Sequence, residues 1–179
     1  MIDKFYGTAI WGLITNQNNL IPKIEKELLI DYGHVILKSP IIPFDFTDYY
    51  EKEMGKNLIR CWIVTENLVP LEEIAETKNF ARRIERKFLN EQKQRSVNID
   101  PGFVTLSNFV LATTKNYGHR IYLRDGVFAE VTLIYRNKSF QALEWSYPDY
   151  RNAIEFFNEA RKFYQKLLQK YEFKESLAK

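Results

Sequence analysis

His119–Trp145, HRIYLRDGVFAEVTLIYRNKSFQALEW, is the stretch that decides the fold. Two arms rich in β-branched and aromatic residues flank Asp125-Gly126. A two-residue hairpin turn favours that dipeptide because both central positions need φ above zero. Arg136–Ser139 (RNKS) suggests a second turn, leading to a third antiparallel strand. With a two-residue loop, Arg124 faces Val127, Ile121 faces Glu130, Arg120 faces Val131 and His119 faces Thr132. Strand alternation then puts His119, Glu130 and Thr132 on one face.

Working outward, Thr8–Ile14 (TAIWGLI) is β-prone and mostly apolar, as a central strand would be. The next segment predicts a helix with Asn18 or Asn19 as cap, Pro22 in its first turn and Gly33 just past its end. His34–Phe44 is a strand that Pro40 and Pro43 push to an edge or bend. Asn57–Val69 is a further strand. A helix opened by Pro70 runs to about Asn90, with Leu71, Ile74, Ala81, Ile84 and Phe88 on one face. Its first turn carries Glu72 and Glu73, and Arg82, Arg83, Arg86 and Lys87 lie late, matching the helix dipole. A turn is expected at Asp100-Pro101-Gly102. The apolar stretch from 103 to 112 reads equally as strand or helix. Asn152–Tyr171 is an amphipathic helix, and Asp149 is placed as its cap. The order predicts one α+β domain over residues 1–179: a ferredoxin-like α/β sandwich (β-α-β-β-α-β) extended by an antiparallel β-meander and a C-terminal helix.

Pro43–Gly55 (PFDFTDYYEKEMG), Asn98–Leu106 (NIDPGFVTL), Leu111–Leu133 (LATTKNYGHRIYLRDGVFAEVTL) and Trp145–Arg151 (WSYPDYR) together resemble a family of small bacterial and archaeal proteins, domain of unknown function 4416. The resemblance spans nearly the whole chain. It implies a cytoplasmic single-domain protein and brings no activity, cofactor or catalytic residue with it.

Hydrophobic residues make up 45% of the chain and charged residues 27%, a globular balance. The net charge of +3 permits phosphate or nucleic-acid contacts without demanding them. A single cysteine, Cys61, lies in an apolar run, which excludes an intrachain disulfide and a Cys-based zinc site. The N-terminal MIDKFYGTAIWGLI lacks a signal-peptide layout, and no run approaches the roughly 20 apolar residues of a membrane span. A cytoplasmic protein without membrane partners is expected. No GxxxxGK[ST], GxGxxG or HExxH occurs.

Candidate chemistry gathers in two places. Thr113, Thr114, Lys115 and Arg120 are the kinds of group that hold phosphate, and Tyr49 and Tyr122 are candidate pocket-lining aromatics. His119 is a candidate acid or base, with Asp45 and Glu130 as candidate bases. Asp45, Asp48 and Glu130 are candidate ligands for magnesium, the cofactor this set suits. Asp48 also stands three residues before Glu51, the spacing of a helix capping box. Asp45, flanked by phenylalanines, needs a cation, and Arg60, Lys115 or Arg120 is the expected partner. His34 reads as structural or exposed. The same His-Thr-Glu strip also fits a solvated sheet face.

Two function classes follow. One is a pocket for a phosphorylated or otherwise anionic small molecule, formed by loop 44–55 and segment 113–132, with metal-assisted phosphate hydrolysis or transfer as its chemistry. The other is a non-enzymatic module for RNA or protein, using Arg82, Arg83, Arg86, Lys87, Lys93 and Arg95. Oligomeric state stays open, with the strand at Pro40–Pro43 and the last helix as candidate interfaces.

Overall fold

The computed structural model describes residues 5–177, with side chains through residue 171; residues 1–4 of the N-terminal stretch read above lie outside it. Strand β1 (Tyr6–Thr15) leads through a 3-10 turn (Asn18–Leu20) to α1 (Ile21–Tyr32), β2 (Val35–Lys38) and β3 (Ile42–Pro43). Then come α2 (Glu51–Met54), β4 (Ile59–Pro70), α3 (Ile74–Lys87), β5 (Val97–Val104) and β6 (Asn108–Thr113). β7 (Ile121–Arg124), β8 (Val127–Arg136), β9 (Ser139–Ala142), α4 (Pro148–Asn152) and α5 (Ile154–Leu177) complete the chain.

Among the described residues, one sheet of nine strands, every pair antiparallel, runs β2-β4-β1-β5-β6-β8-β7. β3 also pairs with β4, and β9 with β8. Helix α1 therefore links β1 to β2 with β4 between them, and α3 links β4 to β5 with β1 between them. Alternation along the central strands sorts the core onto two faces. Ala9, Trp11 and Leu13 join Ile24, Leu28, Ala81 and Ile84 of α1 and α3. Ile10, Trp62 and Val64 join Phe157, Ala160 and Tyr164 of α5. Helices thus cover both faces, and β1 is buried along nearly its whole length. Trp11 packs edge-on to Tyr32 and donates from Nε1 to Thr65 Oγ1 at 3.2 Å, so its polar handle is satisfied inside the core. Cys61 is buried there too, and burial pushes its thiol up to about 11, as for an inert core cysteine. No helix among the described residues is long and apolar enough to cross a membrane.

Several local expectations are corrected. Asn18 and Asn19 make no cap: the turn at Asn18–Leu20 and α1 begin without a side-chain cap bond. Gly33, at φ 80°, does close α1, its N–H donating to Leu29 O. Pro70 is both the last residue of β4 and the cap of a 3-10 turn (Leu71–Glu73) that runs into α3, so it does open the helical stretch, which stops at Lys87 rather than near Asn90. Asp100-Pro101-Gly102 is no turn but the middle of β5, and the stretch read as strand or helix is strand. Pro101 is tolerated because β6 pairs with β5 only from Gly102 onward. Gly102 is required because a Cβ there would lie 2.4 Å from the Phe109 ring and 2.5 Å from Val110 O. Tyr147, not Asp149, precedes α4, and the last helix is interrupted at Ala153.

Asp125 and Gly126 adopt φ 55° and 73°, the expected pair of left-handed residues. A bulge between Tyr122 and Arg124 then shifts the register, so that Ile121 faces Ala129 rather than Glu130. β7 begins only at Ile121, which leaves His119 and Arg120 in the loop before it. Sheet pairing therefore does not set their neighbours.

A small third core of Ile14, Phe44, Tyr50, Met54 and Leu58 pins the acidic-aromatic loop to the end of β1. Tyr50 is anchored in it while Tyr49 stays exposed.

Candidate functional site

The loop so pinned is one wall of a cleft of about 970 Å³. Its other walls come from α3 and the loop after it, the ends of β4, β5 and β6, the loop entering β7, and α4.

Arg60 lies at its most buried point, on β4. The guanidinium sits 4.6 Å from the Trp62 ring centre and 5.1 Å from that of Tyr150, so aromatic rings hold it in place. Gly12 on the adjacent strand makes the room, since a Cβ there would come within 2.9 Å of Arg60 Nη2. Asp149 Oδ2 is 3.1 Å from Nε, close enough for a charge contact but without the alignment of a hydrogen bond. Nη1, and the neighbouring Tyr150 Oη, are buried with no hydrogen-bond partner among the described residues. Burial opposes the arginine's charge, but Tyr150, Asp149 and Asp100 outweigh it and hold its pKa above the ordinary value.

Beside Arg60 the charges are closely matched. Lys78 Nζ donates to Asp100 Oδ1 at 3.0 Å and to Ile99 O at 2.7 Å, and Asn98 donates to Asp100 Oδ2 at 2.6 Å. Burial alone would raise Asp100, yet Lys78 and Arg60 and those hydrogen bonds take it below the ordinary carboxylate value. Arg95 bonds both Glu53 oxygens at 2.9 Å and donates to Asn98 Oδ1 at 2.8 Å. Glu85 accepts from Ile99 N at 2.7 Å, and burial pushes its carboxyl above the usual value.

The more exposed part differs. Arg82, Arg86, Lys93 and Lys115 line the cleft, and none has a carboxylate partner among the described residues. Lys115 Nζ instead rests 3.9 Å over the Tyr49 ring. Partial burial draws its pKa below the lysine norm, opposed by Asp100 and aided by Arg120, Arg95 and Lys78.

Of the residues singled out from sequence, Thr113, Thr114, Lys115, Arg120 and Tyr49 meet in this cleft, whereas Tyr122 is exposed on β7 outside it. Glu130 and His119 form a separate centre behind it. Glu130 Oε2 accepts from Arg120 Nε at 2.6 Å and lies 3.0 Å from His119 Nε2, and Thr132 donates to Oε1 at 3.0 Å. The other donors of Arg120 reach Lys115 O at 2.9 Å and Tyr147 Oη at 3.1 Å. His119 also stacks on Trp145, with ring centres 5.2 Å apart. The His-Glu-Thr grouping thus exists, with Arg120 inside it rather than on the opposite face.

Asp45 and Asp48 are exposed outside the cleft. None of the three cations expected for Asp45 is taken by it: Arg60 faces Asp149, Arg120 bonds Glu130 and Lys115 lies on Tyr49. Asp48 does not cap a helix through its side chain; its backbone carbonyl accepts from Glu51 N at 3.0 Å. Glu130 is buried in its own network, so the three proposed magnesium ligands are not gathered. No group of three His, Cys, Asp or Glu able to hold a metal occurs among the described residues. His34 lies at the junction between α1 and β2, where its N–H donates to Glu66 Oε1 at 3.0 Å.

The basic cluster at the end of α3 and in the loop after it is divided. Arg83 and Lys87 pair outward with Glu76 and Glu27, while Arg82, Arg86, Lys93 and Arg95 turn to the cleft. Sequence reasoning passed over Arg60 and Lys78 as binding groups. A lone arginine inside the apolar run LIRCWIV was the available signal for the first.

Comparison with curated proteins and with solved structures returned no match. A family model does match, over residues 7–164, and it covers the strands, the cleft and the first part of α5. The chain belongs to the family described as Domain of unknown function (DUF4416).

Proposed function

We propose that the protein binds a phosphorylated or otherwise anionic small molecule in this cleft. The observation that carries the reading is the group of four cations, Arg82, Arg86, Lys93 and Lys115, lining one concavity without carboxylate partners among the described residues. Cations that a fold leaves unpaired on one concave surface raise the local concentration of anions, and they are worth more there than on a convex surface. Arg60 adds a buried donor with an unused hydrogen at the most enclosed point. We further propose that β1 through β5 form a ferredoxin-like core, supported by the order β2-β4-β1-β5 and the two helical crossovers. A cytoplasmic setting accords with the lone buried cysteine.

Hydrolysis or transfer at phosphate would suit these cations, but the carboxylates that would hold a metal lie apart, so the reading stops at binding. Thermal unfolding with pyrophosphate and sugar phosphates tests it. A ligand at 100 times its Kd adds about 2.7 kcal/mol to stability. That shift is expected for the native protein and should fall away in Arg86→Ala and Lys115→Ala. An unchanged shift in both variants would remove the cleft from consideration.

A further inference from the structure

The mouth of the cleft is built from two kinds of wall. One is basic: Arg82 and Arg86 of α3, with Lys93 from the loop that follows. The other is aromatic: Phe46 and Tyr49 from the loop before α2, Tyr117 from the loop before β7, and Tyr147 at the start of α4. These four rings are 38%, 57%, 57% and 41% exposed. Large apolar rings left in water inside a concavity are costly unless something covers them, and four around one opening mark a surface made to be covered. Lys115 lies where the two chemistries meet, its ammonium on the Tyr49 ring.

Resting on the anion-binding reading above, we infer that the ligand is a nucleotide, with its base against the aromatic wall and its phosphates on the basic one. Inorganic phosphate or a sugar phosphate would use the cations and leave the rings exposed. An apolar ligand would use the rings and leave the cations unmatched. A nucleotide carries a planar π-face and charged phosphates in one molecule, and base-on-aromatic stacking beside basic side chains is the general way proteins hold one without reading its sequence. The phosphates belong at the mouth rather than deeper. There Asp100, Asp149, Glu53 and Glu85 already neutralise Lys78, Arg60 and Arg95, so a phosphate would lose its water for little net attraction. Arg60 Nη1 and Tyr150 Oη in that deeper part, without well-aligned hydrogen bonds among the described residues, suit the neutral edge of a base or the hydroxyls of a ribose.

Calorimetric titration of the full chain tests this with adenosine, guanosine and uridine diphosphates, ribose 5-phosphate, pyrophosphate and a short 5′-phosphorylated RNA. The nucleoside diphosphates are expected to bind at least about tenfold tighter than pyrophosphate or ribose 5-phosphate, in line with the stacking contribution of one base. Phe46→Ala, at an exposed position, should remove much of that advantage and leave pyrophosphate binding unchanged, whereas Tyr49→Ala, which also takes away the ring under Lys115, should weaken both ligand types. Arg86→Ala should weaken both ligand types. Free nucleotides binding as well as the RNA would identify a free nucleotide as the source. Binding confined to the RNA would support the same recognition with a strand end as the source. Equal binding of pyrophosphate and nucleotides would overturn the nucleotide inference and leave the anion site standing. Binding of none of these ligands would overturn both.

Discussion

Arg120 and Arg60 are both buried arginines with a carboxylate at hand, yet their surroundings differ in kind. Arg120 spends its donors on Glu130, on the Lys115 carbonyl and on Tyr147, and Glu130 in turn accepts from Arg120 and Thr132 and contacts His119. Arg60 has aromatic rings beside it, one poorly aligned contact to Asp149, and an Nη1 without a partner. A saturated network holds structure in place; an unsaturated one in a cleft is available to something else. Arg120 therefore reads as the strut that fixes the Lys115 loop, and Arg60 as part of the surface a ligand meets.

The largest effect expected from this contrast is on the saturated side. Glu130→Ala strands the Arg120 guanidinium without its counter-charge and should destabilise the protein by about 3–5 kcal/mol in urea denaturation. A loss under 1 kcal/mol would mean the network is ornamental and the contrast false. Next comes the unsaturated pair. Replacing Arg60 by Met together with Asp149→Leu exchanges a poorly matched ion pair for apolar packing. Stability should stay level or rise by about 1–4 kcal/mol, while nucleotide binding weakens. A loss of stability as large as that of Glu130→Ala would place Arg60 in the architecture after all.

A smaller effect concerns pH. The folded-state pKa of Asp100 is depressed, so its contribution is full above the ordinary carboxylate value and is lost as pH falls through the lower folded one. Glu85 is shifted upward, so its contribution is full at low pH and is lost as pH rises through its raised value. Asp100→Asn should therefore flatten the loss of stability below about pH 4 in acid titration. An unchanged acid limb would mean that Lys78 does not hold this carboxylate. Smallest is the outward half of the α3 cluster. Arg83 pairs with Glu76 at 55% and 46% exposure, and Arg83→Ala should cost about 0–1 kcal/mol in melting experiments and leave anion binding intact. A loss of binding equal to that of Arg86→Ala would show that the whole basic helix end, not its cleft side, is what anions see.

Much of the site was legible by residue type. Thr113, Thr114 and Lys115 are close in sequence, so expecting them along one wall of a cleft required no tertiary information, whereas Arg120, read with them, spends its donors on Glu130, the Lys115 carbonyl and Tyr147. Asp45 misled because its flanking phenylalanines suggested burial; the loop is pinned instead through Phe44 and Tyr50, which leaves Asp45 in water. For the magnesium triad nothing in the sequence fixed the three carboxylates' proximity, and the fold leaves Asp45 and Asp48 in water and Glu130 in its own network. The hairpin register slipped because a bulge at Tyr122–Arg124 has no dependable residue signature, and one extra residue changes every facing pair beyond it.

The sequence by itself determined the type and rough place of most strands and helices, that Asp125-Gly126 turns back on itself, that Gly33 ends a helix, and which family the chain belongs to. These are local properties, set by backbone preference and by alternation within a dozen residues. Only the tertiary structure decided which charges are matched. Arg60 meets Asp149, and Arg95 meets Glu53, across long stretches of chain. Charge pairing is decided over a few ångströms of space, and no pattern along the chain records which side chains the fold will bring that close.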